Sequence, residues 1–117
     1  MITRIWRGRT LRQDADAYQT LLLSTIFPGI AARQISGFLG IQLDRRETEA
    51  DVEFVTTMIF ASLDAVIDFA GKDYRTSVVP PSARALLASF DAEAVHYELV
   101  AGMGLLTPPA LTVPRRP

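Results

Sequence analysis

The 117-residue chain contains no cysteine, which excludes disulfides, thiolate metal sites and a cysteine nucleophile together. Its one histidine, His96, is too few for a multi-histidine zinc site or an iron site of two histidines and a carboxylate. No apolar run approaches the roughly 18 to 20 residues of a membrane span. The longest, Leu21 to Leu23 and Ile26 to Ile30, is broken by Ser24, Thr25, Pro28 and Gly29. The opening residues, Met1-Ile2-Thr3-Arg4-Ile5-Trp6-Arg7, carry charge where a signal peptide has its apolar stretch, so a cytoplasmic location is expected. An excess of either charge is also missing. Twelve basic residues against thirteen acidic ones give a net charge of −1, which argues against a nucleic-acid partner.

What remains is enough for one globular domain: 49% of the residues are hydrophobic and 21% charged. Arg4, Arg7, Arg9 and Arg12 load the first segment, and Asp44, Glu47, Glu49, Asp51 and Glu53 load a later one. Both read as solvated faces and a charged turn. The acids at 44–53 do not follow a calcium-loop pattern, and Gly37-Phe38-Leu39-Gly40 lacks the spacing of a phosphate loop.

Residues 2–10 alternate and are rich in β-branched and aromatic types, the pattern of a strand. The period then changes: Ala15, Tyr18, Leu22 and Ile26 mark one face of a helix over 14–27, with Asp14 as the expected N-cap. Pro28-Gly29 should kink or restart that helix, which ends by Arg33. A second strand over 38–46 leads through the polar stretch 47–51 into a third over 52–60. Ser62 caps a second helix whose buried stripe is Leu63, Val66, Ile67 and Ala70, and Gly71 stops it. Pro80-Pro81-Ser82 opens a short third helix with Ala83, Leu86, Leu87 and Phe90 on one face, and 93–100 is a fourth strand. The domain therefore spans 1–100, and 101–117 is a Pro/Gly-rich C-terminal tail.

The order β-α-β-β-α-(α)-β is the split βαβ, ferredoxin-like α+β arrangement, a four-stranded antiparallel sheet in the order 4-1-3-2. Two helices cover one face of such a sheet. In the third strand Val55, Thr57 and Ile59 make one face and Phe54, Thr56, Met58 and Phe60 the other, and both are apolar. A half-exposed antiparallel sheet would alternate apolar with charged residues. The uncovered face thus calls for a partner, and a homodimer through sheet-to-sheet packing is expected.

Several segments together resemble a known family. They are Arg4-Ile5-Trp6-Arg7-Gly8, Phe27-Pro28-Gly29-Ile30, Glu53-Phe54-Val55, Ser62-Leu63-Asp64-Ala65-Val66, Phe69-Ala70-Gly71-Lys72-Asp73-Tyr74, Val78-Val79-Pro80-Pro81 and His96-Tyr97-Glu98. Over about residues 2–100 the chain resembles the antibiotic biosynthesis monooxygenase-like proteins of the dimeric α+β barrel superfamily. The resemblance implies one of two chemistries in a cavity between sheet and helices: cofactor-independent oxygenation of electron-rich phenols and anthrones to quinones, or haem binding with oxidative degradation. Both commonly use an asparagine, and this chain has none; where quinone-forming members tend to carry a tryptophan, Phe60 stands here.

Strand parity sorts the candidate residues. Val95, Tyr97 and Leu99 share the face expected to pack on the helices, with His96, Glu98 and Val100 on the other. Arg4 and Trp6 are expected beside His96 and Glu98. His96 is the candidate general base or donor to a substrate phenolate, its charged form favoured by Glu98, or else a histidine hydrogen-bonded at a dimer interface. Arg4 is the candidate to stabilise an enolate or phenolate, with a cross-strand pairing to Glu98 as the expected alternative. Trp6, Met58 and Phe60 would wall a pocket for a flat aromatic, and Tyr74 would cover its mouth. The expected function is oxygenase-like action on a flat, electron-rich aromatic small molecule without a bound metal or flavin. A non-catalytic binding dimer is the alternative, and a haem-binding protein a lesser one.

Overall fold

The computed structural model describes residues 1–104. Strand β1 (Ile2–Thr10) runs into helix α1 (Arg12–Leu21), a π-helical stretch (Leu22–Ile26) and helix α2 (Phe27–Ala32). The hairpin β2 (Phe38–Glu47) and β3 (Val52–Phe60) follows, then α3 (Leu63–Ala70), the short α4 (Pro81–Arg84), and two strand pieces, β4 (Ser89–Phe90) and β5 (Val95–Glu98). The sheet is antiparallel in the order β2-β3-β1, with β4 and β5 both pairing with the free side of β1. This is the ferredoxin-like order read from the sequence. Within one chain the sheet is open, with β2 at one edge and β4 and β5 at the other.

The first helix begins two residues earlier than expected. Leu11 occupies the cap position without a side-chain bond, and Asp14 lies in the first turn, where its charge still favours the helix N-terminus. The expected break at Pro28 takes the form of a π turn. Proline has no N–H for the carbonyl one turn back, and the helix widens just before it, with the Phe27 N–H donating to the Leu22 carbonyl.

Ser62 caps α3 as expected: its Oγ accepts from the Ala65 N–H at 3.2 Å. Gly71 ends the helix at φ 92°, a left-handed conformation that glycine adopts without strain. The buried stripe is rotated from the one expected. Ala65 and Val66 are buried, with Phe69 packed against them, whereas Leu63 is 41% exposed. The cause is a close approach by Gly37 (φ 88°), where an added Cβ would lie 2.9 Å from that of Ala65. Only a small residue at each position lets the loop and helix meet, and that contact sets the helix rotation.

The last strand is split rather than continuous. Residues 92–94 leave β1 and bond the connection before α4: the Ser77 N–H donates to Ala92 O at 2.9 Å and the Ala94 N–H to Arg75 O at 2.8 Å. Gly8 pairs with Phe90 and Ile5 with Val95, so the excursion shifts the register by two residues. An even shift keeps parity, and His96 still lies opposite Arg4. The expected face of β5 is corrected, however. Val52, Phe54, Met58 and Phe60 of β3 are buried, and the register puts Arg4, Gly8 and His96 on their side of the sheet. Val95 and Tyr97 are therefore on the uncovered face, 44% and 55% exposed. The α4 helix also stops short, leaving Phe90 in β4 rather than on a helical face. Residues 101–104 form no regular element, and the rest of the tail lies outside the described residues.

Candidate functional site

The side chains between sheet and helices fall into two buried clusters. One gathers Ala15, Tyr18, Leu22, Val52, Phe54 and Ala83; the other gathers Met58, Phe60, Ala65 and Val66. Between them lies a small, partly enclosed cavity of about 60 Å³. Arg4 and Trp6 of β1, Thr56 and Met58 of β3, and Ile41 of β2 form its floor. Tyr18, Leu22, Ile26, Phe27 and Ile30 form one wall, and Phe69, Val78, Val79, Pro80 and Ala83 the other. Sequence reasoning missed most of these walls, because they come from four separate segments. The signal that could have found them is the pair of apolar runs interrupted by proline, at Phe27-Pro28 and Val78-Val79-Pro80.

Arg4 is the one charged residue in this lining. It is 3% exposed, and its guanidinium carbon sits 5.4 Å from the Phe69 ring centre. Nη1 donates to the Tyr74 carbonyl at 2.6 Å and lies 3.0 Å from His96 Nε2; Nη2 donates to the Thr76 carbonyl at 3.5 Å. Burial pulls its pKa down to about 10, which leaves it cationic at neutral pH. The expected cross-strand pair with Glu98 does not form. Glu98 lies opposite Ile2, exposed, in a shallow surface depression with Tyr74, Arg75 and Tyr97.

An arginine can only donate, so His96 Nε2 must accept and the imidazole proton resides on Nδ1. His96 also packs edge-on against the Tyr74 ring, with centres 5.2 Å apart. It does not line the cavity but stands behind Arg4, facing the depression. The lone pair that a base would use is already taken by Arg4. Glu98 does not favour the charged imidazole as expected; burial first, then Arg4 and Arg75, hold its pKa below the ordinary 6.5.

The remaining candidates divide. Trp6 and Met58 line the cavity; the Trp6 indole N–H donates to the Asp91 carbonyl at 2.7 Å, and its ring leans on Phe90. Phe60 is fully buried beside Phe38 and Phe69 and does not reach the cavity. Tyr74 acts through its carbonyl on Arg4 and its ring on His96, outside the lining. Among the described residues no cluster of three metal-binding side chains exists. A haem ligated by histidine does not fit this arrangement, since the only histidine lies outside the cavity with its Nε2 facing a guanidinium.

No protein-family model matches the sequence, and no curated protein matches it. Solved structures do. A presumed antibiotic biosynthesis monooxygenase from Deinococcus radiodurans superposes with a TM-score of 0.60 at 15% identity, covering 92% of this chain and 100% of the other. One from Chloroflexus aurantiacus gives 0.57 at 19% identity, covering 88% and 96%. The chain has the antibiotic biosynthesis monooxygenase fold. The heme-degrader MhuD from Mycobacterium tuberculosis, with two hemes bound in its active site, shares this fold at a TM-score of 0.54 and 18% identity over 89% of this chain and 100% of its own. One fold thus carries more than one chemistry, and the site residues decide between them.

The lowered His96 pKa has a consequence for stability. Between the folded and unfolded pKa values the unfolded chain binds more protons, so stability is complete above about pH 6.5 and is lost as pH falls through the folded value. The urea midpoint of the wild type should hold from about pH 8 to 7 and decline from 6.5 downward, with a shallower decline in His96→Gln. Equal declines in both proteins would contradict the pairing.

Proposed function

We propose that this protein is a cofactor-independent oxygenase acting on a flat, electron-rich aromatic of the phenol or anthrone type. The observation that supports this reading is the cavity itself: apolar, walled by Trp6, Phe27, Met58 and Phe69, and holding a single cation, Arg4. Such a site excludes water, lays a planar ring against aromatic and thioether surfaces, and offers one fixed positive charge where an anion develops. The ionised ring is then its own electron donor to dioxygen. For an anthrone, the methylene becomes a carbonyl, with one oxygen atom entering the ring and the other leaving as water. Arg4 stabilises the anion. His96, behind it, is a positioning residue that holds the guanidinium in place, which revises the expected role of general base. Tyr74 supports the same guanidinium through its carbonyl.

The same reading includes a homodimer packed through the uncovered sheet face. Ile5, Val55, Thr57, Ile59, Val95 and Tyr97 lie together on that face by register, and no helix of the described chain covers them. Light scattering at micromolar concentration is expected to give a dimer mass for the wild type and a monomer for Thr57→Arg. A monomeric wild type would remove this part of the reading.

Oxygen uptake with an anthrone-type substrate tests the activity. Uptake well above a protein-free blank is expected, falling by about 10² to 10³ in Arg4→Met, the loss typical of a removed oxyanion donor. Wild-type uptake no faster than the blank, or an Arg4→Met variant as fast as the wild type, would contradict it.

A further inference from the structure

Arg4 carries a charge that the described chain does not balance. No carboxylate lies within ion-pair distance of it; the ion pairs that form are Arg9–Asp91, Arg12–Glu47, Arg45–Asp16 and Arg46–Glu53, all elsewhere. Its partners are two carbonyls and a neutral imidazole. A buried cation without a counter-charge is costly, and a protein keeps one where something anionic arrives.

The geometry says what kind of anion. A guanidinium has five N–H donors. Nη1 uses two and Nη2 one, so Nε–H and the second Nη2 donor have no acceptor among the described residues. Nε and Nη2 share the edge with which arginine grips a planar anion through parallel bonds, and among the described residues the only bond on that edge is the long one to Thr76 at 3.5 Å. The rest of the lining bears on the ligand's protonation state. It contains no carboxylate, lysine or histidine. Its only other titratable group is Tyr18, whose phenol burial pushes up to about 12 and so keeps neutral. Nothing facing the cavity can take a proton from a neutral ligand.

We infer that the cavity takes its ligand as a preformed, planar monoanion, an acidic enol, acidic phenol or aryl carboxylate, seated on the free edge of Arg4 with its rings against Trp6, Met58 and Phe69. This rests on reading the cavity as the substrate site. It narrows the phenol and anthrone class to members acidic enough to be ionised in neutral water, and the oxygen-uptake substrate is to be chosen from those.

The sole tryptophan, Trp6, lines the cavity, so its fluorescence reports occupancy directly. The test is quenching of Trp6 at pH 7.5 by 2-hydroxy-1,4-naphthoquinone, an ionised enol there, against its neutral 2-methoxy ether. The enolate is expected to bind about 10- to 100-fold more tightly than the ether, the range of a charge-assisted hydrogen bond. Arg4→Met, checked for folding by circular dichroism, is expected to erase the preference, and Arg4→Lys to keep part of it. Displacement of the enolate by 2-naphthoate but not 2-naphthamide extends the class to carboxylates; no displacement by naphthoate confines it to acidic enols and phenols. Equal affinity of the two quinones in the wild type, or a preference that survives in Arg4→Met, would overturn the inference. The wild-type comparison needs no variant to fold. Because it reads binding without turnover, it can fail while oxygen uptake succeeds, and the reverse.

Discussion

A guanidinium held inside an apolar layer needs its donors answered and its position fixed, and in this chain three distant segments meet that need at Arg4. The connection after α3 supplies the Tyr74 and Thr76 carbonyls, β5 supplies His96, and α3 supplies the face of Phe69. Each contact also does a structural job. The carbonyls draw the 72–80 connection over the sheet, which makes Val78 and Val79 a cavity wall. The imidazole fixes the last strand opposite β1 even though the chain leaves the sheet at 92–94. Apolar side chains packed into the gap between the two buried clusters would strand the guanidinium donors that have no acceptor among the described residues.

Much of the fold was legible in the sequence. Strict alternation over 2–10 and 52–60, a polar turn between 47 and 51, and the Ser62 and Gly71 punctuation all carry local physical signals, and the strand order follows from the element order. The departures arise where a long-range contact overrides a local one. The α3 stripe turned because Gly37 meets Ala65. The last strand splits because residues 92–94 pair with the connection rather than with β1. None of these partners is near in sequence.

For the site, parity was enough to bring Arg4 and His96 together, since any even register shift preserves it. It was not enough to tell which face they share, because both faces of β3 are apolar. The Arg4–Glu98 pair failed for a related reason. Opposite charges on adjacent strands are an attractive expectation, but Glu98 is opposite Ile2 and reaches water, while Arg4 is buried on the helix side of the sheet. A buried arginine bonded to carbonyls leaves no trace in a charge pattern. The fold frames the cavity, and Arg4 gives its lining the one charge it has.

The Arg4–His96 contact fixes the guanidinium in the site, and the imidazole nitrogens report it directly. Nitrogen-15 NMR of His96 at neutral pH should place the proton on Nδ1 and leave Nε2 as the bare acceptor, a state that persists below pH 6.5 in the wild type and is lost in Arg4→Met. A His96 found in the commoner Nε2–H tautomer, titrating at its ordinary value with Arg4 present, would contradict it.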